Sequence, residues 1–463
     1  MARSAEGILR SAVVTTRASR TLLHRITTVV LTLFVSTIPL FAQTSHEKFD
    51  NYVQAYVRNG DFSGSVLIAK RSHVLFRKSY GMANHEWNIP NSDTTKFHIA
   101  SVTKTFTAAA ILILEKQARL KLSDPLSKYV PGYLNGDRIT IEQMLAHSSG
   151  LPDFYSLPDY PAKKFQRVTL PDLIAWVKSK PLDFLPGSKT SYSNTGYGFL
   201  AYIMEQVSGR PYEQFVSEEI LRPVGMKETG ALLDDALIAN RADGYQPALA
   251  ESGLRNAPFY DKTILTGSGS LYSTTGDLYL WAKAIEAGRF FDMRKLSYPY
   301  GWGARQSKTG HRYIEQDGRA PGFASHISIF PDDDLFVIVL GNLEDAAVNT
   351  IADNLAGIAL GESPAAPPQR PRKTIAADQV EDYAGTYEVN PAFLLDVRAH
   401  GSDLYLRGTG GDYLPLEPLG KESFFYRQMY VKVDFKRDKA GKIEALLWNG
   451  EYPCKKVSDH PQP

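Results

Sequence analysis

Two short apolar stretches separated by a pair of polar residues open the patterned part of the chain. Residues 63–70 (SGSVLIAK) and 73–78 (HVLFRK) read as strands, and Arg71-Ser72 between them predicts a hairpin. Residues 101–120 read as a helix. From Phe106 to Leu114 every position but Thr107 is apolar, so this helix is expected to be buried on all sides. Most segments from about 105 to 285 read as helices joined by Pro/Gly turns. Strand patterning returns at 323–330 and 335–340, around the turn Pro331-Asp332-Asp333-Asp334. A helix follows, with Val348, Ile351, Leu355 and Ile358 on one face. Two early strands and about three late ones, with helices between, predict an α+β fold: one antiparallel sheet flanked by helices and split by a helical insertion.

The last stretch of chain has a different rhythm. Short strand patterns at 393–397, 403–406, 424–426, 430–435 and 443–448 alternate with turns, which predicts a small C-terminal all-β barrel or sandwich. Residues 361–374 (GESPAAPPQRPRKT) carry four prolines and no apolar period, as an extended linker does. At the other end, the apolar run Ile26–Phe41 follows five arginines and precedes Ala42 and a polar stretch. That order predicts a secretory leader cleaved near Ala42 over an uncleaved anchor, since sixteen residues with Pro39 inside are short for a membrane span. The expected division is a leader at 1–42, a body at 43–360, the linker at 361–374 and a β tail at 375–463. The mature protein is then periplasmic or secreted, with no stable membrane span.

Composition narrows the function classes. The 463 residues are 43% hydrophobic and 22% charged, which excludes disordered and collagenous chains. Their net charge of +2 is misleading. Setting aside five arginines and Glu6 in residues 1–42 leaves 47 basic and 49 acidic side chains. A nearly neutral body gives no electrostatic case for nucleic acid or an anionic membrane. The single cysteine, Cys454, can form no intrachain disulfide and reads as a buried small residue.

The buried helix begins Ser101-Val102-Thr103-Lys104. At that spacing hydroxyl and amine share one helix face, and Ser101 lies where free N–H groups stabilise negative charge. A lysine held against an apolar helix is desolvated, which favours the neutral form a general base needs. Bringing its pKa from ~10.4 to near 7 takes roughly 4–5 kcal/mol, within reach of burial. A second Ser-x-x-Lys at Ser45–Lys48 has no buried helix behind it. Tyr192-Ser193-Asn194 follows a Pro/Gly loop and precedes a helical pattern, so the Tyr192 hydroxyl can enter a cleft while the Asn194 amide holds a substrate carbonyl. Tyr133-Leu134-Asn135 repeats the spacing but is bracketed by turn residues.

From about 47 to 360 these residues resemble the serine β-lactamase and penicillin-binding protein family, in the class C-like branch that includes D-aminopeptidases, DD-carboxypeptidases and esterases. The segments Leu145-Ala146-His147-Ser148-Ser149-Gly150-Leu151-Pro152-Asp153, Pro181-Leu182-Asp183-Phe184-Leu185-Pro186-Gly187 and Gly267-Ser268-Gly269-Ser270-Leu271-Tyr272-Ser273-Thr274 are similar to family patterns in the same order. The resemblance implies Ser101 as acylated nucleophile, Lys104 as its base and Tyr192 as a second proton-transfer group. The tail, opening Tyr383-Ala384-Gly385-Thr386-Tyr387, resembles the β-barrel domain often fused to such hydrolases.

The family's third motif is Lys-Thr-Gly or His-x-Gly on a strand edging the cleft, a few residues before a Gly-Phe-x-Ser segment. Gly322-Phe323-Ala324-Ser325 therefore puts it at Gln316-Asp317-Gly318, and the literal Lys308-Thr309-Gly310 in a hairpin. Glutamine offers a neutral amide where Lys or His would meet a substrate carboxylate. Arg319 is the nearby candidate to replace that charge, and its backbone N–H, with that of Ser101, the expected oxyanion hole. His147 is expected to be structural. No HExxH, P-loop or GxSxG pattern is present, and neither a cofactor nor a metal is expected. The leading expectation is an exported acyl-enzyme hydrolase acting on a small-molecule or short-peptide amide, ester or lactam. The rival is a non-catalytic binder of cell-wall peptides or β-lactams on the same fold.

Overall fold

The computed structural model describes residues 38–232, 236–248, 253–292, 300–363, 380–390, 393–409 and 413–461. Most of the expected leader (1–37) and of the linker (364–374) lies outside these residues. A first helix, α1 (Ile38–Arg58), runs through Ala42, where the sequence places the end of the leader. Among the described residues no helix is long and apolar enough to cross a membrane.

The hairpin forms from β1 (Gly64–Lys70) and β2 (His73–Tyr80). Its two-residue turn puts both Arg71 (φ 50°) and Ser72 (φ 61°) in the left-handed region, the geometry that matches strand twist. The insertion then contributes α2 (Thr103–Lys116), α3 (Asn194–Ser208) and α4 (Thr275–Glu286) as its longest helices. Late in the body come β3 (Gly303–Gln306), β4 (Arg312–Ala320), β5 (Phe323–Phe330), β6 (Leu335–Gly341) and α5 (Val348–Ala359).

The six strands form one antiparallel sheet in the order β3-β4-β5-β6-β1-β2. Its centre joins sequence-distant strands, with Gly64 opposite Gly341 and Lys70 opposite Leu335. Every residue of β6 is buried, as a strand covered on both faces must be. Helix α2 is buried from Thr103 to Leu112, so apolar side chains all round it are satisfied by surrounding helices and sheet. Helix α5 closes the other face with Val348, Ile351 and Leu355. The α+β reading holds, with two additions. β3 and β4 are too polar to show a strand period, because β4 is only partly covered along its length. The insertion also contains short strands, among them Leu271–Ser273, which pairs with both Phe97–His98 and Gly230–Ala231.

The tail is a closed barrel of eight antiparallel strands between Gly385 and Ser458. Five were visible as patterns; Gly385–Asn390, Leu414–Pro418 and Tyr452–Ser458 were not. Tyr383, Tyr387, Phe424, Phe435 and Leu446 fill its interior together with Cys454, which is buried as expected. The Tyr387 hydroxyl donates to the Tyr383 carbonyl (2.7 Å), so a polar tip in an apolar barrel is paired. Barrel and body meet at Arg427, whose guanidinium lies 2.9 Å from Asp61, 3.3 Å from Asp345 and 3.2 Å from Glu417.

Candidate active site

A strained turn introduces Ser101. Ala100 has φ +43°, a conformation costly for a residue with a Cβ, and the chain then passes through one 3₁₀ turn (Ala100–Val102) into α2. The turn is held on both sides: Ile99 N–H donates to the Leu271 carbonyl (3.0 Å), and Ser325 Oγ donates to the Ile99 carbonyl (2.8 Å). One helical turn on, Lys104 is fully buried. Its Nζ reaches Ser101 Oγ at 3.0 Å, Asn194 Oδ1 at 2.8 Å and the Ser268 carbonyl at 2.8 Å. Burial lowers its pKa to about 7, against the opposing pull of Asp153 and Asp317.

Those three neighbours match both protonation states. A neutral amine has two N–H donors and one lone pair; two carbonyl oxygens can take the donors, leaving the lone pair for the Ser101 hydroxyl. Once protonated, the ammonium has three donors for three oxygens. No partner has to move.

Tyr192 approaches from the other side, its hydroxyl donating to Ser101 Oγ at 2.8 Å while the residue stays 48% exposed. The His147 ring stacks on the Tyr192 ring with centroids 4.5 Å apart. His147 Nδ1 accepts the Ser193 N–H (3.1 Å), which requires an unprotonated nitrogen there; burial drives the imidazole pKa down to about 3. This histidine is a neutral prop for the Tyr192 loop. Asn194, at the start of α3, is oriented by Asp153, which the sequence did not single out. Asp153 Oδ2 accepts both the Asn194 backbone N–H (2.7 Å) and its side-chain amide (2.9 Å). The Asn194 oxygen is thereby turned toward Lys104. The other missed partner is the Ser268 carbonyl. Asp153 closes the Leu145–Asp153 segment and Ser268 lies in the glycine-rich stretch, so both stood inside recognised patterns without a role that set them apart there.

Strand β4 forms the remaining wall. A Cβ on Gly318 would lie 2.5 Å from the Ile99 oxygen and 2.8 Å from the Ser101 nitrogen, so only glycine lets the strand approach. Gln316 is two residues back and partly exposed, its amide donating to the Asp317 carbonyl (2.8 Å). Arg319 needs a correction. Its guanidinium donates to the Glu344 (2.7 Å) and Ala346 (3.3 Å) carbonyls, away from the cleft. Successive side chains on a strand alternate faces; with Gly318 against Ser101, the side chain of Arg319 points to the opposite face. Its side chain therefore offers no charge to the cleft. Lys308-Thr309-Gly310 occupies the turn between β3 and β4, at the far end of β4 from Gly318. Beyond the other end of β4 opens a cavity of about 640 Å³ lined by His98, Tyr260, Phe323, Trp87 and Lys262.

The family model described as Beta-lactamase matches residues 49–361. The chain belongs to the beta-lactamase family. As a member it is a serine hydrolase, and the barrel region, residues 369–460, matches a domain of unknown function, DUF3471. Penicillin-binding protein 4* of Bacillus subtilis is 27% identical over 408 residues, covering 81% of this chain and 90% of that one. A penicillin-binding protein from Bacillus halodurans is 26% identical with a TM-score of 0.57, over 69% of this beta-lactamase-family chain and 99% of that one. The D-amino acid amidase of Ochrobactrum anthropi SV3 shares the fold, with a TM-score of 0.62 at 20% identity over 68% of this chain and 98% of that one.

Proposed function

We propose that the protein is an exported acyl-enzyme hydrolase in which Ser101 is the nucleophile, Lys104 its base and Tyr192 the proton donor to the leaving group. The observation carrying this reading is the meeting of the Lys104 amine and the Tyr192 hydroxyl on one Ser101 oxygen, at 3.0 and 2.8 Å. Neutral Lys104 takes the Ser101 proton as Oγ bonds to the substrate carbonyl carbon. The Ser101 and Arg319 backbone N–H groups receive the developing oxyanion. As the C–N or C–O bond breaks, Tyr192 protonates the departing atom and recovers a proton relayed from Lys104. Water then releases the acid by the same relay in reverse. Asn194, expected from the sequence to hold a substrate carbonyl, instead positions Lys104 through its oxygen while Asp153 takes its amide.

Substrate preference follows from Gln316. With a neutral amide at that position and the Arg319 side chain turned away, no described cation from β4 faces a substrate carboxylate. The preferred acyl donors are therefore amides or esters whose leaving group carries no carboxylate, such as D-amino acid amides, rather than β-lactams or peptides ending in D-Ala, whose carboxylate would go unpaired. The proposed working unit is the body 43–360, joined through linker 361–374 to the barrel 375–463, after removal of 1–42.

Intact-mass spectrometry of residues 43–463 after treatment with a fluorophosphonate, and separately a penicillin, tests the reading, with Ser101→Ala as control. A Ser101-dependent fluorophosphonate adduct is expected, with little or no penicillin adduct. Strong penicillin labelling would overturn the substrate preference. No adduct from either reagent in folded protein would overturn the hydrolase and favour a binder.

A further inference from the structure

On the face of the sheet opposite Ser101, three ligand-type side chains meet from three elements. Glu315 on β4, His326 on β5 and Asp353 on α5 bring two carboxylate oxygens and an imidazole nitrogen within 4.8 Å of one another. Strand register explains the first pair. Asp317 is the direct partner of His326, so Glu315, two residues back, is its diagonal neighbour on the same face. Asp353 is supplied by α5, which packs over β5 and β6.

His326 is fully buried, and neither ring nitrogen has a hydrogen-bond partner. Its Nε2 points at Glu315 Oε2 across 3.8 Å, beyond hydrogen-bond length. Arg305 Nε engages the other oxygen, Glu315 Oε1, at 2.8 Å, which keeps Oε2 turned toward the imidazole. Two atoms bound to one tetrahedral ion at ~2.0–2.2 Å stand roughly 3.3–3.6 Å apart, close to this gap. One turn before Asp353 on α5, the Asn349 amide oxygen is also buried and without a partner.

We propose that Glu315, His326 and Asp353 form a binding site for a divalent transition-metal cation of the zinc class, tying β4 to α5 behind the active-site cleft. One imidazole and two carboxylates are a nitrogen–oxygen set that suits zinc; calcium and magnesium favour all-oxygen shells, and the absence of thiolate disfavours cuprous ion. With Arg305 counted, the cluster carries one net negative charge before an ion enters. Sequence gave no sign of this site, because its ligands have no short-range spacing and come from separate elements. The site is independent of the proposed hydrolase chemistry, since Gln316 and Gly318 occupy the opposite face of β4.

The test titrates Zn²⁺ alone into chelator-stripped full chain by calorimetry, with melting curves, for the wild type, Glu315→Gln and Asp353→Asn. Because Asp353 is exposed and Glu315 half-buried, these variants avoid the folding risk of replacing His326. One ion per chain is expected in the wild type, with affinity at least ~10-fold weaker in each variant and a Zn²⁺-dependent rise in Tm confined to the wild type. Co²⁺ in place of Zn²⁺ should give visible d–d bands in the wild type alone. Absence of stoichiometric binding, equal binding by the variants, or preference for Ca²⁺ or Mg²⁺ over Zn²⁺ would each overturn the proposal and leave a buried histidine–carboxylate pair.

Discussion

Lys104 shows how one residue's environment sets a chemical role. Burial alone lowers its pKa to about 7, and Asn194 and Ser268 supply the carbonyl oxygens that accept from it in either state. The sign is direct: a base must be unprotonated, so hydrolysis should fall as pH drops through 7 and level off above it. A pH profile of kcat/KM should show that acid limb. Lys104→Arg should lose roughly 10²–10⁴-fold and lack the limb, because guanidinium does not give up its proton near neutral pH. An unchanged limb in Lys104→Arg would assign the titration to another group. At this scale the sequence was informative. It brought forward Ser101, Lys104, Tyr192 and Asn194, which the structure places within hydrogen-bond reach of one another, although each motif alone was weak and the resemblance to the family carried the choice.

Elements bring those residues together, and the closest approach is β4 against the turn before α2. Gly318 is the contact point, where a methyl group would come 2.5 Å from the Ile99 oxygen and 2.6 Å from Ser325 Oγ. Gly318→Ala should therefore push β4 off Ser101, costing about 1–3 kcal/mol of stability and disturbing the proposed oxyanion donors. Thermal melting and single-turnover acylation measured on the same sample check this. An active variant with wild-type Tm would show that the strand yields without cost. Side-chain direction along β4 was not legible in advance. A polar strand offers no apolar period to say which face is which, so Arg319 stood as a candidate for the cleft with its direction open, and its guanidinium is held instead by the Glu344 and Ala346 carbonyls.

Across the whole molecule, Arg427 on the barrel sits against Asp61 and Asp345 of the body, both nearly inaccessible. Burial pushes the Asp345 pKa up to about 6 in spite of Arg427. A raised carboxyl pKa means the folded state binds its proton more readily than the unfolded chain. Asp345 thus withdraws stability as pH rises from about 4 through 6 and changes nothing further above that. Arg427→Ala removes the cation that faces two buried carboxylates and should cost about 3–5 kcal/mol at pH 8, less at pH 5 where Asp345 can be protonated. Chemical denaturation at the two pH values measures the difference; equal losses would mean that Asp345 does not titrate in this range.

While the choice of residues around Ser101 leaned on the family resemblance, the sequence by itself determined the α+β class, the β tail and the buried α2 helix. Those are properties of local pattern: hydrophobic period, turn chemistry and short spacings along one element. Tertiary structure decided what depends on which strand lies beside which and in what register. It put Asp153 behind Asn194, turned Arg319 away from the cleft, seated the barrel on Arg427 and gathered Glu315, His326 and Asp353 behind β4. No short window of sequence contains these pairings, because burial and register are set by the packing of segments that the chain brings together from far apart.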